Sequence, residues 1–128
     1  LDLKGDSGPY LQYTYARLVG IKKKALNFET FKPLNFEALN KEVELSLAKK
    51  LIKFSEAVIM AAQSNLPNIL TLYLYELCNL ANKFYEISPV LSEEDDKVKT
   101  ARLALVDITS RVLEKGLGLL GIKALERI

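Results

Sequence analysis

The 128-residue chain has no histidine and a single cysteine, Cys78. A His-based nucleophilic relay and the common zinc sites depend on those residue types, so both are excluded. One thiol cannot close an internal disulfide, which rules out a disulfide framework and fits a reducing compartment. No apolar run approaches the roughly 18 uncharged residues of a membrane span, and the first six residues lack the basic, then apolar, then small pattern of a secretory leader. Export and membrane contact are therefore not expected, and a cytoplasmic location is. Net charge is small as well: 18 Lys and Arg stand against 16 Asp and Glu, a formal +2. Any affinity for nucleic acid must come from where the cations sit rather than from their sum. No segment alternates convincingly at period two and no internal repeat is visible, so strands are not expected. What remains, 49% hydrophobic and 27% charged residues, suits a single domain over residues 1–128 with its own core.

Helical periodicity and its punctuation divide the chain into about five helices. Asp6, Ser7, Gly8 and Pro9 are helix-start residues, and a helix is predicted over residues 9–25. Residues 27–40 hold Pro33 and three phenylalanines (Phe28, Phe31, Phe36), which suits an ordered loop pinned by its aromatics. In the next segment, residues 41–54, Val43, Leu47 and Leu51 recur beside Leu45, Ala48 and Ile52, a broad helical face. Ser55 is expected to cap a short helix through residue 64, and Pro67 to open a longer one ending at residue 87 before Ser88 and Pro89. On that helix Leu70, Tyr73, Leu74, Leu77, Leu80, Ala81 and Phe84 share one wide face, the pattern of a central buried helix. Ser92, Glu93, Glu94 and Asp95 resemble a capping box for a last long helix. Its expected face runs through Val98, Ala101, Leu105, Ile108, Val112 and Leu119, with Gly116 on the same stripe to allow close approach. The prediction is an all-α bundle.

On the first helix, a wheel at about 100° per residue puts Leu11, Tyr15, Leu18 and Ala25 on the core side, flanked by Val19 and Leu26. Tyr10, Tyr13, Arg17 and Lys24 fall in a second stripe, read as an exposed ridge of two rings and two cations. Unpaired bases stack on such rings while Arg17 and the Lys22-Lys23-Lys24 run meet phosphates. Ordinary helix anatomy accounts for the same residues, with half-buried tyrosines and a solvated basic helix end. Other candidate motifs are weaker. Gly116-Leu117-Gly118-Leu119-Leu120-Gly121 matches G-x-G-x-x-G but lacks a preceding strand and a following helix, so Gly121 reads as a helix stop. Residues 93–96 are consecutive acids that do not converge on one point, so no metal site is expected. Cys78 lies among Leu77, Leu80 and Ala81 and reads as a buried inert thiol.

The stretch Leu3-Lys4-Gly5-Asp6-Ser7-Gly8-Pro9-Tyr10-Leu11-Gln12-Tyr13-Thr14-Tyr15-Ala16-Arg17-Leu18 resembles the opening of the carboxy-terminal anticodon-binding domain of arginyl-tRNA synthetases. Further segments resemble the same family in order: Leu74-Tyr75-Glu76-Leu77, Asn82-Lys83-Phe84-Tyr85-Glu86 with Pro89-Val90-Leu91, Ala101-Arg102-Leu103-Ala104-Leu105-Val106, and the tail from Gly116 to Ile128. The resemblance spans nearly the whole chain. It implies a helical domain that grips the anticodon stem and loop of arginine tRNA, within a class I ligase that joins arginine to that tRNA using ATP. By the same resemblance ATP, with magnesium, belongs to a catalytic domain that this chain lacks. That domain would be the partner within the same polypeptide. Met60 sits in Ile59-Met60-Ala61-Ala62, not in a Lys-Met-Ser-Lys loop, so this chain alone is not expected to aminoacylate. The family's anticodon-facing positions carry over to Tyr10, Tyr13, Arg17 and Ile128, where isoleucine replaces a common methionine. Lys24 joins them from the wheel, and Gln12 is a further polar candidate. Alternatives are the related helical domain of a cysteinyl or methionyl synthetase, or a non-enzymatic helical scaffold with an apolar groove.

Overall fold

The computed structural model describes residues 7–25 and 35–125. Among them are five α-helices and one short 3-10 turn, and no strand: α1 (Ser7–Lys24), the turn (Phe36–Ala38), α2 (Glu42–Ile52), α3 (Phe54–Ser64), α4 (Pro67–Ile87) and α5 (Asp96–Leu119). The expected cap at Asp6, the loop positions Leu26, Phe28, Phe31 and Pro33, and Ile128 lie outside the described residues. None of the helices is long and apolar enough to cross a membrane.

α4 is the central strut. Pro67 fits its first turn, where a missing N–H costs nothing, and Ser88 and Pro89 end it. Leu74, Leu77, Cys78 and Phe84 are fully buried along it. α2 and α3 pack on α4, α1 and α5 pack on each other and on α4, and α2 also meets α5. α1 contributes Leu11, Thr14, Tyr15, Leu18 and Ile21 to the core, and α5 contributes Leu105, Val106, Leu113 and Leu117. Gly116 makes the α4–α5 contact possible: a Cβ there would stand 2.6 Å from Cδ2 of Leu74. α5 then ends as expected at Gly121, whose φ of 75° turns the chain. Its capping bonds run from Ile122 N to Leu117 O at 2.8 Å and from Gly121 N to Gly118 O at 3.0 Å.

Four local expectations are corrected. Ser55 lies inside α3, whose cap position is Lys53 with no side-chain hydrogen bond. The cap of α5 is Asp95, which accepts from the N–H groups of Lys97 and Val98, not Ser92. The second row of α2 is split: Ala48 is buried, whereas Leu45 and Ile52 face out at 39% and 71% exposed, so the buried face is Val43, Leu47, Ala48 and Leu51. On α5 the buried face is wider than the predicted stripe and displaced from it. Leu103, Val106, Thr109, Leu113 and Leu117 are buried, whereas Leu119 is 55% exposed at the helix end.

α5 also buries a charge. Arg102 and Glu44 are 2% and 0% exposed and pair at 2.6 Å. Arg102 also donates to Pro89 O at 2.7 Å, Glu93 at 3.3 Å and Asn40 at 3.3 Å, tying the α4–α5 connection to α2. Four donors converge on Glu44. Oε1 accepts from the N–H groups of Asn40 (2.9 Å) and Lys41 (3.1 Å), and Oε2 from Ser88 Oγ (2.7 Å) and Arg102 Nε (2.6 Å). Burial works to raise its pKa, but those hydrogen bonds outweigh it and hold Glu44 below the ordinary carboxylate value.

Candidate nucleic-acid interface

The second stripe of α1 meets the outer face of α4, so the ridge is built by two helices rather than one. Arg17 is the centre of it. Its guanidinium carbon lies 4.1 Å from the centroid of the Tyr85 ring and 5.2 Å from that of Tyr13. Those rings are 44% and 49% exposed, so the cation sits between two aromatic groups open to solvent. Asn82 of α4 accepts from Arg17 Nη1 at 2.9 Å.

Tyr10 departs from the exposed ridge expected of it. Its ring packs tilted against Tyr75, with centroids 5.4 Å apart. Its hydroxyl donates to Asn79 Oδ1 at 2.7 Å and accepts from Asn82 Nδ2 at 3.1 Å. It is therefore half-buried, because α4 covers that flank of α1. Burial pushes its phenol pKa above the usual value, against the pull of the Asn82 hydrogen bond. Tyr10 stays neutral at physiological pH and supports the site from beneath.

The basic end of α1 is divided. Lys22 pairs with Asp107 of α5 at 2.6 Å and so braces the bundle, which takes it out of the expected phosphate-facing run. Lys24 is exposed in the last turn. Gln12 donates to the Lys123 carbonyl at 2.8 Å, so its role is to hold the chain that follows α5. Ile122 and Ala124 in that stretch pack on the core.

Beyond Tyr85 the ridge opens into a pocket of about 510 Å³ between α1 and the α4–α5 connection. Ile21, Tyr85, Ile87, Pro89, Val90 and Leu91 line it. Its size is in the usual range for small-molecule pockets, about 300 to 1,000 Å³. Cys78, by contrast, is fully buried behind the ridge, and burial pushes its thiol pKa up to about 12. Among the described residues no group of three or more Cys, Asp and Glu side chains could hold a metal ion. The segment Gly116 to Gly121 closes α5 instead of joining a strand to a helix.

The model of the DALR anticodon binding domain family matches residues 11–128. The chain belongs to that family. It is similar to arginine–tRNA ligases of Nostoc punctiforme and Trichodesmium erythraeum, at 44% and 45% identity over 129 residues, and in each case all of this chain aligns with 22% of the relative. Its fold matches that of a Thermus thermophilus arginyl-tRNA synthetase with a TM-score of 0.85 and 36% identity, over 99% of this chain and 22% of that one. The chain thus spans about 22% of the length of these relatives. These matches favour arginine over the cysteinyl or methionyl alternatives, and nothing in them favours a protein-interaction scaffold. α4 presents Tyr75, Asn79, Asn82 and Tyr85 to the candidate ridge, and the sequence reading named none of the four there. Their helical spacing on the face opposite Leu70, Leu74 and Leu77 was available to find Tyr75, Asn79 and Asn82.

Proposed function

We propose that the chain is the anticodon-binding domain of an arginine–tRNA ligase, and that its ridge holds the unpaired bases of the anticodon loop. The observation that carries this reading is the Arg17 guanidinium set between the exposed rings of Tyr13 and Tyr85. Such rings offer stacking surfaces worth about 1 to 3 kcal/mol per base. The fixed cation between them meets a phosphate or a base edge. A base splayed from the loop fits the pocket past Tyr85, and Lys24 extends the positive end of α1 toward the stem. Tyr10 supports Arg17 through Asn82, and Ile128 adds an apolar contact, as the family resemblance implies.

In the whole ligase, ATP and magnesium would supply adenylate chemistry in the catalytic part of the chain. The glycine-rich segment from Gly116 to Gly121 is a helix end and not a phosphate-binding loop. This domain's contribution is positioning: energy gained on the anticodon loop fixes where the distant acceptor end lies. The test is a titration of the protein with arginine tRNA and a non-cognate tRNA at two salt concentrations. Preferential binding that weakens with salt is expected, and Tyr13→Ala or Arg17→Ala should lower affinity at least fivefold. Equal binding to both tRNAs, or no effect of either substitution, overturns the reading.

A further inference from the structure

Between α1 and α4 the polar contacts form a chain with one allowed direction. Thr14 has one hydroxyl hydrogen, and it goes to the Tyr10 carbonyl at 3.0 Å. Its oxygen is left as an acceptor, and Asn82 Nδ2 stands 3.0 Å away. The Tyr10 hydroxyl hydrogen goes to Asn79 Oδ1, so that oxygen too accepts from Asn82 Nδ2. Two acceptors on one side fix the amide nitrogen of Asn82 there. Its Oδ1 is then forced to the opposite side, where Arg17 has only donors to offer.

We propose that Asn82 is the positioning residue for Arg17: its carboxamide, oriented by Thr14 and Tyr10, holds the guanidinium in register between Tyr13 and Tyr85. The proposal rests on the tRNA-binding reading above. Asn82 takes one of the five guanidinium donors, so the others stay available to a ligand. An exposed arginine without such a tether samples many rotamers and loses that freedom on binding. The tether moves that ordering into the folding of the bundle and leaves a prepared site. Thr14 is fully buried, so the orienting end of the relay is anchored in the core.

The experiment is a double-mutant cycle read by affinity for arginine tRNA. Arg17→Ala alone should weaken binding, and Asn82→Ala alone should weaken it about three- to tenfold. Adding Asn82→Ala to Arg17→Ala should change affinity by less than about twofold, since a positioning residue has nothing left to position. A second readout needs no RNA: the Arg17 side-chain Nε–Hε resonance should be ordered in the parent protein and lost in Asn82→Ala. If the alanine variant melts below the assay temperature, Asn82→Leu, with similar volume and no polar atoms, takes its place. Equal losses from Asn82→Ala in both backgrounds, or no loss while Arg17→Ala weakens binding, overturn the proposal. No loss from Arg17→Ala overturns the tRNA reading, and the role of Asn82 falls with it.

Discussion

Replacing Glu44 with glutamine exchanges one oxygen for an amide nitrogen, and the surroundings of that atom turn the exchange into a large perturbation. Four donors converge on two carboxylate oxygens: the N–H groups of Asn40 and Lys41 on one, Ser88 Oγ and Arg102 Nε on the other. Glutamine has one acceptor oxygen. Whichever way its amide turns, an NH₂ group faces donors, and rotation of the Ser88 hydroxyl relieves one of the conflicts. In either orientation the buried Arg102 guanidinium loses the carboxylate at 2.6 Å and keeps only that of Glu93 at 3.3 Å. Breaking one side of a buried pair costs about 3 to 5 kcal/mol. For a domain of this size that is a drop in melting temperature on the order of 10 to 20 °C. The effect also carries a pH signature. The folded pKa of Glu44 lies below its ordinary value of 4.5, so its charge contributes stability above that value and loses it as pH falls through the folded pKa. Glutamine does not titrate, so the gap between parent and Glu44→Gln should be widest near pH 7 and narrow below about pH 4.5. Urea unfolding at pH 7 and at successively lower pH measures both. A cost under about 1 kcal/mol at pH 7, or a gap that does not narrow in acid, refutes the reasoning.

Gly116→Ala gains about 1 kcal/mol of helix propensity but places a methyl against the buried Leu74. Overpacking of about 1 to 3 kcal/mol should win. Thermal melting should show a net loss in the parent and a gain once Leu74→Ala makes room, and a loss in both backgrounds counts against the contact. Cys78, with its pKa pushed up to about 12, should react with a thiol reagent at pH 8 only as fast as the protein unfolds. A fast folded-state reaction would show the site to be open. Gln12→Ala should leave stability within about 1 kcal/mol while lowering backbone order parameters over residues 122–125. Unchanged order there would mean that Gly121 alone sets the path of the tail.

The legible parts of the fold were those marked by local chemistry. Pro67 and the pair Ser88-Pro89 bracket α4, and the spacing of Leu70, Leu74, Leu77 and Phe84 identifies its buried face. Helix starts were less legible where several polar residues compete: between Ser92 and Asp95 only the backbone geometry selects the cap. Arg102 reads as a surface charge on any wheel, because its partner Glu44 lies 58 residues earlier in the chain. The site divides the same way. α1 alone places Tyr13 and Arg17 on the candidate ridge, but Tyr10 changes place once Asn79 and Asn82 are brought to it from 69 and 72 residues away. A one-helix wheel shows which residues leave the core. It does not show which second helix meets them.

Because α4 carries Leu74, Leu77 and Phe84 inward and Tyr75, Asn82 and Tyr85 outward, core and proposed recognition surface are two sides of one rod. A rotation of α4 that repacked the interior would sweep Tyr85 away from Arg17 and reshape the pocket behind it. Drift in ligand preference is therefore cheapest on α1 and the tail, where an exposed side chain such as Tyr13 or Lys24 can change without disturbing a buried one. Changes on α4 need compensation in the core, so the half of the surface it supplies should be the slower to diverge.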